Sequence, residues 1–123
     1  MKIINNIILV GLAVLMLSIV GCAAQGKDFG AEITETNGVP IKDILAKPEQ
    51  FANHTVRVEG KITDECPAGG WFFLQDETGT IYVNLHPSYF AIPQAIGRRA
   101  VAEGRVRREG TQIEIIGKGV RLE

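Results

Sequence analysis

The side chains best placed to hold a ligand in this chain are aromatic. Trp71 and Phe73 alternate with Phe72 and Leu74, and Tyr82 alternates with Ile81 and Val83. If Phe72, Leu74, Ile81 and Val83 face a core, Trp71, Phe73 and Gln75 share the outer face of one strand, and Tyr82, Asn84 and His86 share that of the next. Aromatic rings on adjacent strands stack bases or sugars, each stacked base worth about 1–3 kcal/mol. Arg57 and Lys61, on a preceding strand, would add positive charge. Two bland readings compete: Trp71 and Phe73 cover the core, or they pack beneath an N-terminal helix. A one-residue slip in register would exchange the two faces altogether.

Other chemistries find less support. Cys66, His54 and His86 are the soft or imidazole side chains of the C-terminal two thirds, but they are scattered, whereas structural zinc takes four ligands. No metal set and no cofactor motif is read from them. Arg98, Arg99, Arg105, Arg107 and Arg108 form a basic cluster that could meet phosphate or anionic lipid headgroups. The competing reading is a solvated edge strand, with Glu103, Glu109 and Glu114 as partners. For catalysis there is no Ser–His–Asp arrangement and no Gly-rich phosphate loop. Asp64, Glu65, Asp76 and Glu77 flank turns, where short acids serve turn geometry. A Cys66–His86 nucleophilic pair is conceivable, but nothing in the spacing joins them, so a non-catalytic protein is expected.

These residues need strands to position them. Residues 40–51 predict a short helix with Ile41, Ile44 and Leu45 on one face, and Pro48 either ends it or begins a second turn. Strands are predicted over 55–63, 71–76, 80–85, 99–108 and 111–116, the last with a possible extension past Gly117 and Gly119. Asp76-Glu77-Thr78-Gly79 reads as a tight turn, and residues 86–97 as a longer connection limited by Pro93. The first and fourth strands echo one another: Val58-Glu59-Gly60-Lys61 resembles Ala102-Glu103-Gly104-Arg105. A glycine at the same place in both predicts that each strand bends there and serves both halves of a small barrel. Five strands with the longest connection between the third and fourth favour the Greek-key barrel called the OB-fold over an SH3-like barrel.

The N-terminus carries a different message. Lys2, an apolar run over residues 7–20 broken by Gly11 and Ser18, and a small residue before Cys22 form the three parts of a secretory signal. A membrane-spanning helix over 3–20 is the alternative, though two Asn at its start and an abrupt Gly-Cys end disfavour it. Ile19-Val20-Gly21-Cys22 resembles the lipobox of bacterial lipoproteins. That resemblance implies cleavage before Cys22 and acylation of its sulfur, with membrane attachment through the lipid. Each buried methylene adds about 0.8 kcal/mol to such an anchor. Ala23, rather than Asp, follows the Cys, which leans to the periplasmic face of the outer membrane if the cell is Gram-negative. Residues 22–38, rich in Gly, Thr, Asn and acids, read as a disordered tether, and residues 39–123 as one domain. From Val39 onward there are eleven Lys plus Arg and eleven Asp plus Glu, which argues against a strongly basic nucleic-acid binder. With Cys22 assigned to the lipid, Cys66 is a free thiol.

The residues Val58-Glu59-Gly60-Lys61, Glu65-Cys66-Pro67, Gly70-Trp71-Phe72, Asp76, Pro93, Gly97 and Glu103-Gly104 together resemble small exported bacterial OB-fold proteins of unknown function. These are distantly similar to nucleic-acid-binding OB-folds of the tRNA-anticodon type. In that pattern a second Cys commonly stands just before the Trp. Here Gly70 holds the place, so a role built on a Cys pair is not implied. The expectation is a lipid-anchored, non-catalytic OB-fold binding module. Its ligand, an oligonucleotide, glycan, peptide or small molecule, would lie across Trp71, Phe73, Gln75, Tyr82, Asn84 and His86, with Arg57 and Lys61 nearby. Nucleic acid is suggested by the fold but disfavoured by an envelope location and a neutral domain. Alternatives are a module that docks an envelope protein and a metal or redox site at Cys66.

Overall fold

The computed structural model describes residues 26–123. The expected signal over residues 1–21 and the expected acylation of Cys22 lie outside the described residues. Six strands form the sheet: β1 (Lys27–Gly30), β2 (Thr55–Glu65), β3 (Trp71–Gln75), β4 (Thr80–Asn84), β5 (Arg99–Glu109) and β6 (Gln112–Leu122). Their order is β1-β6-β4-β3-β2-β5, and β5 also pairs with β6, which closes β2 to β6 into a five-stranded barrel. The β4–β6 ladder is parallel and the others are antiparallel. This is the OB-fold connectivity expected from the sequence.

Closure depends on the two long strands, and both turn at the glycines of the sequence echo. Val58 pairs with Ala102, so Gly60 and Gly104 sit two residues beyond that pair on opposite sides. β2 pairs with β5 over Thr55–Lys61 and with β3 from Lys61 onward, so it changes partner beside Gly60. β5 has its bulge between Glu103 and Gly104, on the side that meets β6. A Cβ at Gly60 would lie 2.2 Å from the Gln75 carbonyl oxygen, and one at Gly104 would lie 2.1 Å from that of Ile116. Only a residue without a side chain lets the neighbouring backbone come this close.

The core follows the strand alternation. Phe72 and Leu74 of β3 face inward with Ile81 and Val83 of β4, joined by Val58, Ile62, Ile115, Val120 and Leu122. The predicted helix is two short ones, α1 (Ile41–Ala46) and α2 (Pro48–Phe51), with Pro48 starting the second. Ile41 and Ile44 join the core, whereas Leu45 is exposed. The connection over residues 85–98 holds one 3₁₀ turn, His86–Ser88.

The expected tether is a correction. Within residues 22–38 the described part is fixed to the barrel. β1 extends the β6 edge beyond the short β4 ladder, with Lys27 opposite Leu122 and Gly30 opposite Gly119. Further along, the buried Glu103 carboxylate accepts hydrogen bonds from the Thr34 N–H at 2.7 Å, the Thr34 hydroxyl at 3.1 Å and the Glu35 N–H at 3.3 Å. Gly38 bridges to Arg57. The composition concealed this because the attachment is made by backbone and by a distant carboxylate. The side chains of β1 are themselves mostly exposed and carry no apolar alternation.

Asp76, read as a turn acid, also serves helix α1. Its Oδ1 accepts from the Thr78 N–H, the Thr78 hydroxyl and the Gly79 N–H, which shapes the β3–β4 turn. Its Oδ2 accepts from the Ile41 N–H at 3.0 Å, capping a helix whose own preceding residue, Pro40, offers no side-chain cap. Burial alone would raise the Asp76 pKa. The hydrogen bonds from the Thr78 side chain and from the Ile41, Thr78 and Gly79 backbone outweigh it and hold the carboxyl below its ordinary value of 3.8. The stabilisation is therefore complete above the unfolded-state pKa and is lost as pH falls through the lower folded-state value. Asp76→Ala is expected to cost about 2 kcal/mol at neutral pH by urea denaturation. Asp76→Asn should flatten the acid limb of the stability–pH curve relative to the unaltered chain.

Candidate ligand face

The register of β3 on β4 sets Trp71 opposite Asn84, Phe73 opposite Tyr82 and Gln75 opposite Thr80. Because Phe72, Leu74, Ile81 and Val83 are buried inside, these pairs lie on the outer surface of the barrel. Three rings meet there. Trp71 and Phe73 are edge-to-face with centroids 5.9 Å apart, Trp71 and Tyr82 are tilted at 5.8 Å, and Phe73 and Tyr82 are tilted at 5.3 Å. Each ring is half-buried. Helix α1 packs elsewhere: Ile41 and Ile44 enter the core, and Ile41 and Leu45 lie beside Gly79 at the turn end of the β3–β4 hairpin.

The parallel β4–β6 ladder extends this face in a way the sequence did not reveal. Tyr82 is opposite Glu114, and Glu114 is opposite Arg107 of β5, giving a cross-sheet row Phe73–Tyr82–Glu114–Arg107. A second row runs Trp71–Asn84–Ile116–Arg105. Glu114 is buried, its side chain only 5 % exposed, and it is held by the Arg107 guanidinium, whose Nε donates at 2.8 Å. Arg107 also lies 3.7 Å from Glu109. Burial raises the Tyr82 phenol above its ordinary pKa, and the negative charges of Glu114 and of a Cys66 thiolate raise it further. The phenol is therefore a neutral donor across the physiological range, beside a carboxylate whose charge is balanced by arginine.

The remaining expected residues divide. Asn84 stands beside Trp71, but its Oδ1 accepts the His86 N–H at 3.1 Å and so shapes the 3₁₀ turn. His86 lies over Gly70: a Cβ at Gly70 would meet the imidazole at 2.4 Å. The ring thus occupies the space that the second Cys of the related pattern would need. Gln75 is exposed and is opposite Lys61 on β2, which in turn is opposite Arg99. Lys61 accordingly borders the Gln75 end of β3, four residues along from Trp71. Arg57 is not brought to the aromatic face. It lies on the part of β2 that pairs with β5, with its guanidinium on Glu59 at 2.7 Å and on the Glu35 carbonyl at 3.0 Å, holding the N-terminal segment. Of the basic cluster, Arg105 and Arg107 do share the outer face, while Arg108 pairs with Glu49. Among the described residues, no three His, Cys, Asp or Glu side chains converge as a metal site.

A three-ring surface, one ring of which carries a neutral phenol donor, with two arginines further along the same face, can take a flat ring or sugar face by stacking and orient its polar edge by hydrogen bonding. Such a face on a closed five-stranded Greek-key barrel places the protein in the class of small OB-like barrels. A solved structure with this fold is that of the hypothetical protein ygiW from E. coli. It matches with a TM-score of 0.55 and 17 % identity, over 72 % of this chain and 91 % of that one. The likeness is one of fold. No protein-family model matches the chain, and no curated protein matches it.

Two outcomes check the electrostatics of the face. Glu114→Gln should lower the Tyr82 pKa toward the ordinary value of 10.0, read from the ultraviolet absorbance of tyrosinate. Arg107→Ala leaves the Glu114 carboxylate buried without its partner. Discounted for the exposure of the Arg107 side chain, the cost should be about 1–3 kcal/mol. Arg105→Ala should stay within about 0.5 kcal/mol of the unaltered chain.

Proposed function

We propose that this chain is a lipid-anchored, non-catalytic binding module of the bacterial cell envelope, which takes a ring-bearing ligand across Trp71, Phe73 and Tyr82. The observation that carries the binding reading is the packed aromatic trio on the outer surface of β3 and β4. The anchoring reading is supported by the apolar leader and the lipobox-like sequence ending at Cys22, with attachment at the periplasmic face of the outer membrane in a Gram-negative cell. The near-neutral charge from Val39 onward and the envelope location favour glycans, peptides or small ring compounds over nucleic acid.

A second reading, a module that docks an envelope protein, is favoured by Tyr89. This side chain is 96 % exposed, in a left-handed backbone conformation (φ 58°) at the end of the 3₁₀ turn. A large ring held in solvent by a sparsely populated backbone is unusual unless something covers it.

Trp71 is the one tryptophan of the chain and reports directly on the face. Titration with soluble cell-wall glycans, peptides and oligonucleotides should change its fluorescence saturably for the first or second class and weakly for the third. Tyr82→Ala should weaken that binding roughly five- to 150-fold, the equivalent of one stacked ring. If the Trp71 signal responds to none of the three classes, the ligand-face reading fails. Capture of an envelope protein lost on Tyr89→Ala but kept on Tyr82→Ala would favour the second reading.

A further inference from the structure

The place where the chain enters the barrel is also a cationic rim. Gly26 lies against Arg121 and Leu122: a Cβ there would meet the Arg121 Cγ at 2.6 Å and the Leu122 carbonyl oxygen at 3.1 Å. Lys27 is opposite Leu122, and Leu122 is opposite Ala100 at the start of β5. The Glu123 N–H donates to the Arg99 carbonyl at 2.9 Å, and the Arg98 guanidinium donates to the main-chain oxygen of Glu123 at 3.2 Å. Lys61 is opposite Arg99.

Five basic residues therefore lie along this end of the barrel by register, Arg121 on one face of the β1–β6 ladder and Lys27 on the other with its ammonium over the Phe29 ring at 5.6 Å, and the carboxylates of Asp28 and Glu123 stand among them. Asp28 is taken by Arg121 at 2.7 Å, and Glu123 stands 4.0 Å from Arg99. On the other flank of Arg99, Glu59 and Glu77 line a shallow hollow, and Glu59 is bound by Arg57. Among the described residues, Lys27 and Lys61 have no carboxylate within ion-pair distance. Ile96, 60 % exposed, projects from the chain just before Arg98.

We propose that this rim rests on the anionic phospholipid headgroups of the membrane to which Cys22 is anchored, so that the barrel lies on the bilayer instead of swinging above it. The proposal rests on the lipid-anchor reading, because chain length supplies the constraint. Five peptide units separate Cys22 from Lys27. They span at most about 18 Å fully extended and about 12 Å as a flexible coil. A free chain as far as residue 38 would have reached roughly 55 Å.

With β1 fixed on β6, the rim is confined within about two Debye lengths of the surface, each being about 8 Å at physiological salt. There, each Lys or Arg is attracted to anionic lipid, and an exposed Ile can enter the headgroup boundary. The Gln75 end of the ligand face adjoins the rim at Lys61, and Trp71, four residues further along β3, stands roughly 13 Å from it.

The test uses the full chain purified from membranes and reconstituted into vesicles of phosphatidylglycerol and phosphatidylethanolamine, of phosphatidylcholine alone, or into detergent micelles. Intact mass reads the acylation of Cys22, and hydrogen exchange reads residues 26–28 and 95–99. The expected result is an acylated chain whose rim exchanges more slowly in the anionic vesicles than in the neutral ones. Protection should fall in high salt and weaken roughly fivefold for each of Lys27→Gln and Lys61→Gln. An acylated chain with equal rim exchange in anionic vesicles, neutral vesicles and micelles overturns the rim proposal and leaves the anchor standing. An unmodified Cys22 overturns the anchor, and the rim proposal with it.

Discussion

The fold depends on two long strands that must each belong to two ladders. β2 and β5 pair through their middle, Val58 on Ala102; β2 then passes to β3 beside Gly60, while β5 carries β6 on its other edge through a bulge at Gly104. Both places bring backbone against backbone, at distances no Cβ tolerates. Gly60 and Gly104 meet this requirement. The barrel closes because of them, and the parallel approach of β6 to β4 follows from closure. From that approach follows the burial of Glu114 beside Tyr82. The electrostatic character of the aromatic face is thus a consequence of bends made where β2 and β5 meet its flanking strands.

Much of this was legible because strand alternation is a local signal. Phe72, Leu74, Ile81 and Val83 announced their inward direction, and that alone fixed which way Trp71, Phe73 and Tyr82 point. The repeated Val-Glu-Gly-Lys and Ala-Glu-Gly-Arg pattern announced the bends. What stayed hidden was non-local. The pairing of Tyr82 with Glu114 joins residues with no motif in common, so Glu114 and Arg107 read as a solvated pair on an edge. Arg57 looked like a ligand contact because its strand precedes the aromatic ones, whereas its half of β2 belongs to β5. The N-terminal segment was missed for a related reason. Its polar composition resembles a linker, and its attachment rests on main-chain groups and on Glu103, more than sixty residues away.

Polar groups in this small barrel serve as joints between elements that apolar packing alone would leave loose. Asp76 fastens α1 to the β3–β4 turn, and Glu103 fastens the N-terminal segment to β5. Glu65 accepts the Ala95 N–H, tying the long connection to β2. In each case a carboxylate satisfies backbone donors that have no strand or helix partner of their own, and no buried side-chain polar atom among the described residues lacks a partner.

The placement of β1 has a consequence in time as well as in space. Its strand partner is the last strand of the chain, and the Arg121–Asp28 pair spans 93 residues of sequence. A polypeptide is made from its N-terminus. The first strand of this fold is thus the first to emerge and must wait, unpaired, until the last has followed. Contacts of such sequence separation carry a loop-closure cost and form late. The barrel of β2 to β6 can assemble without β1, whose docking is then a closing step that registers the arrival of the C-terminus. Any interruption of the chain before β6 would leave the N-terminal strand with nothing to pair with, and would expose it to proteolysis.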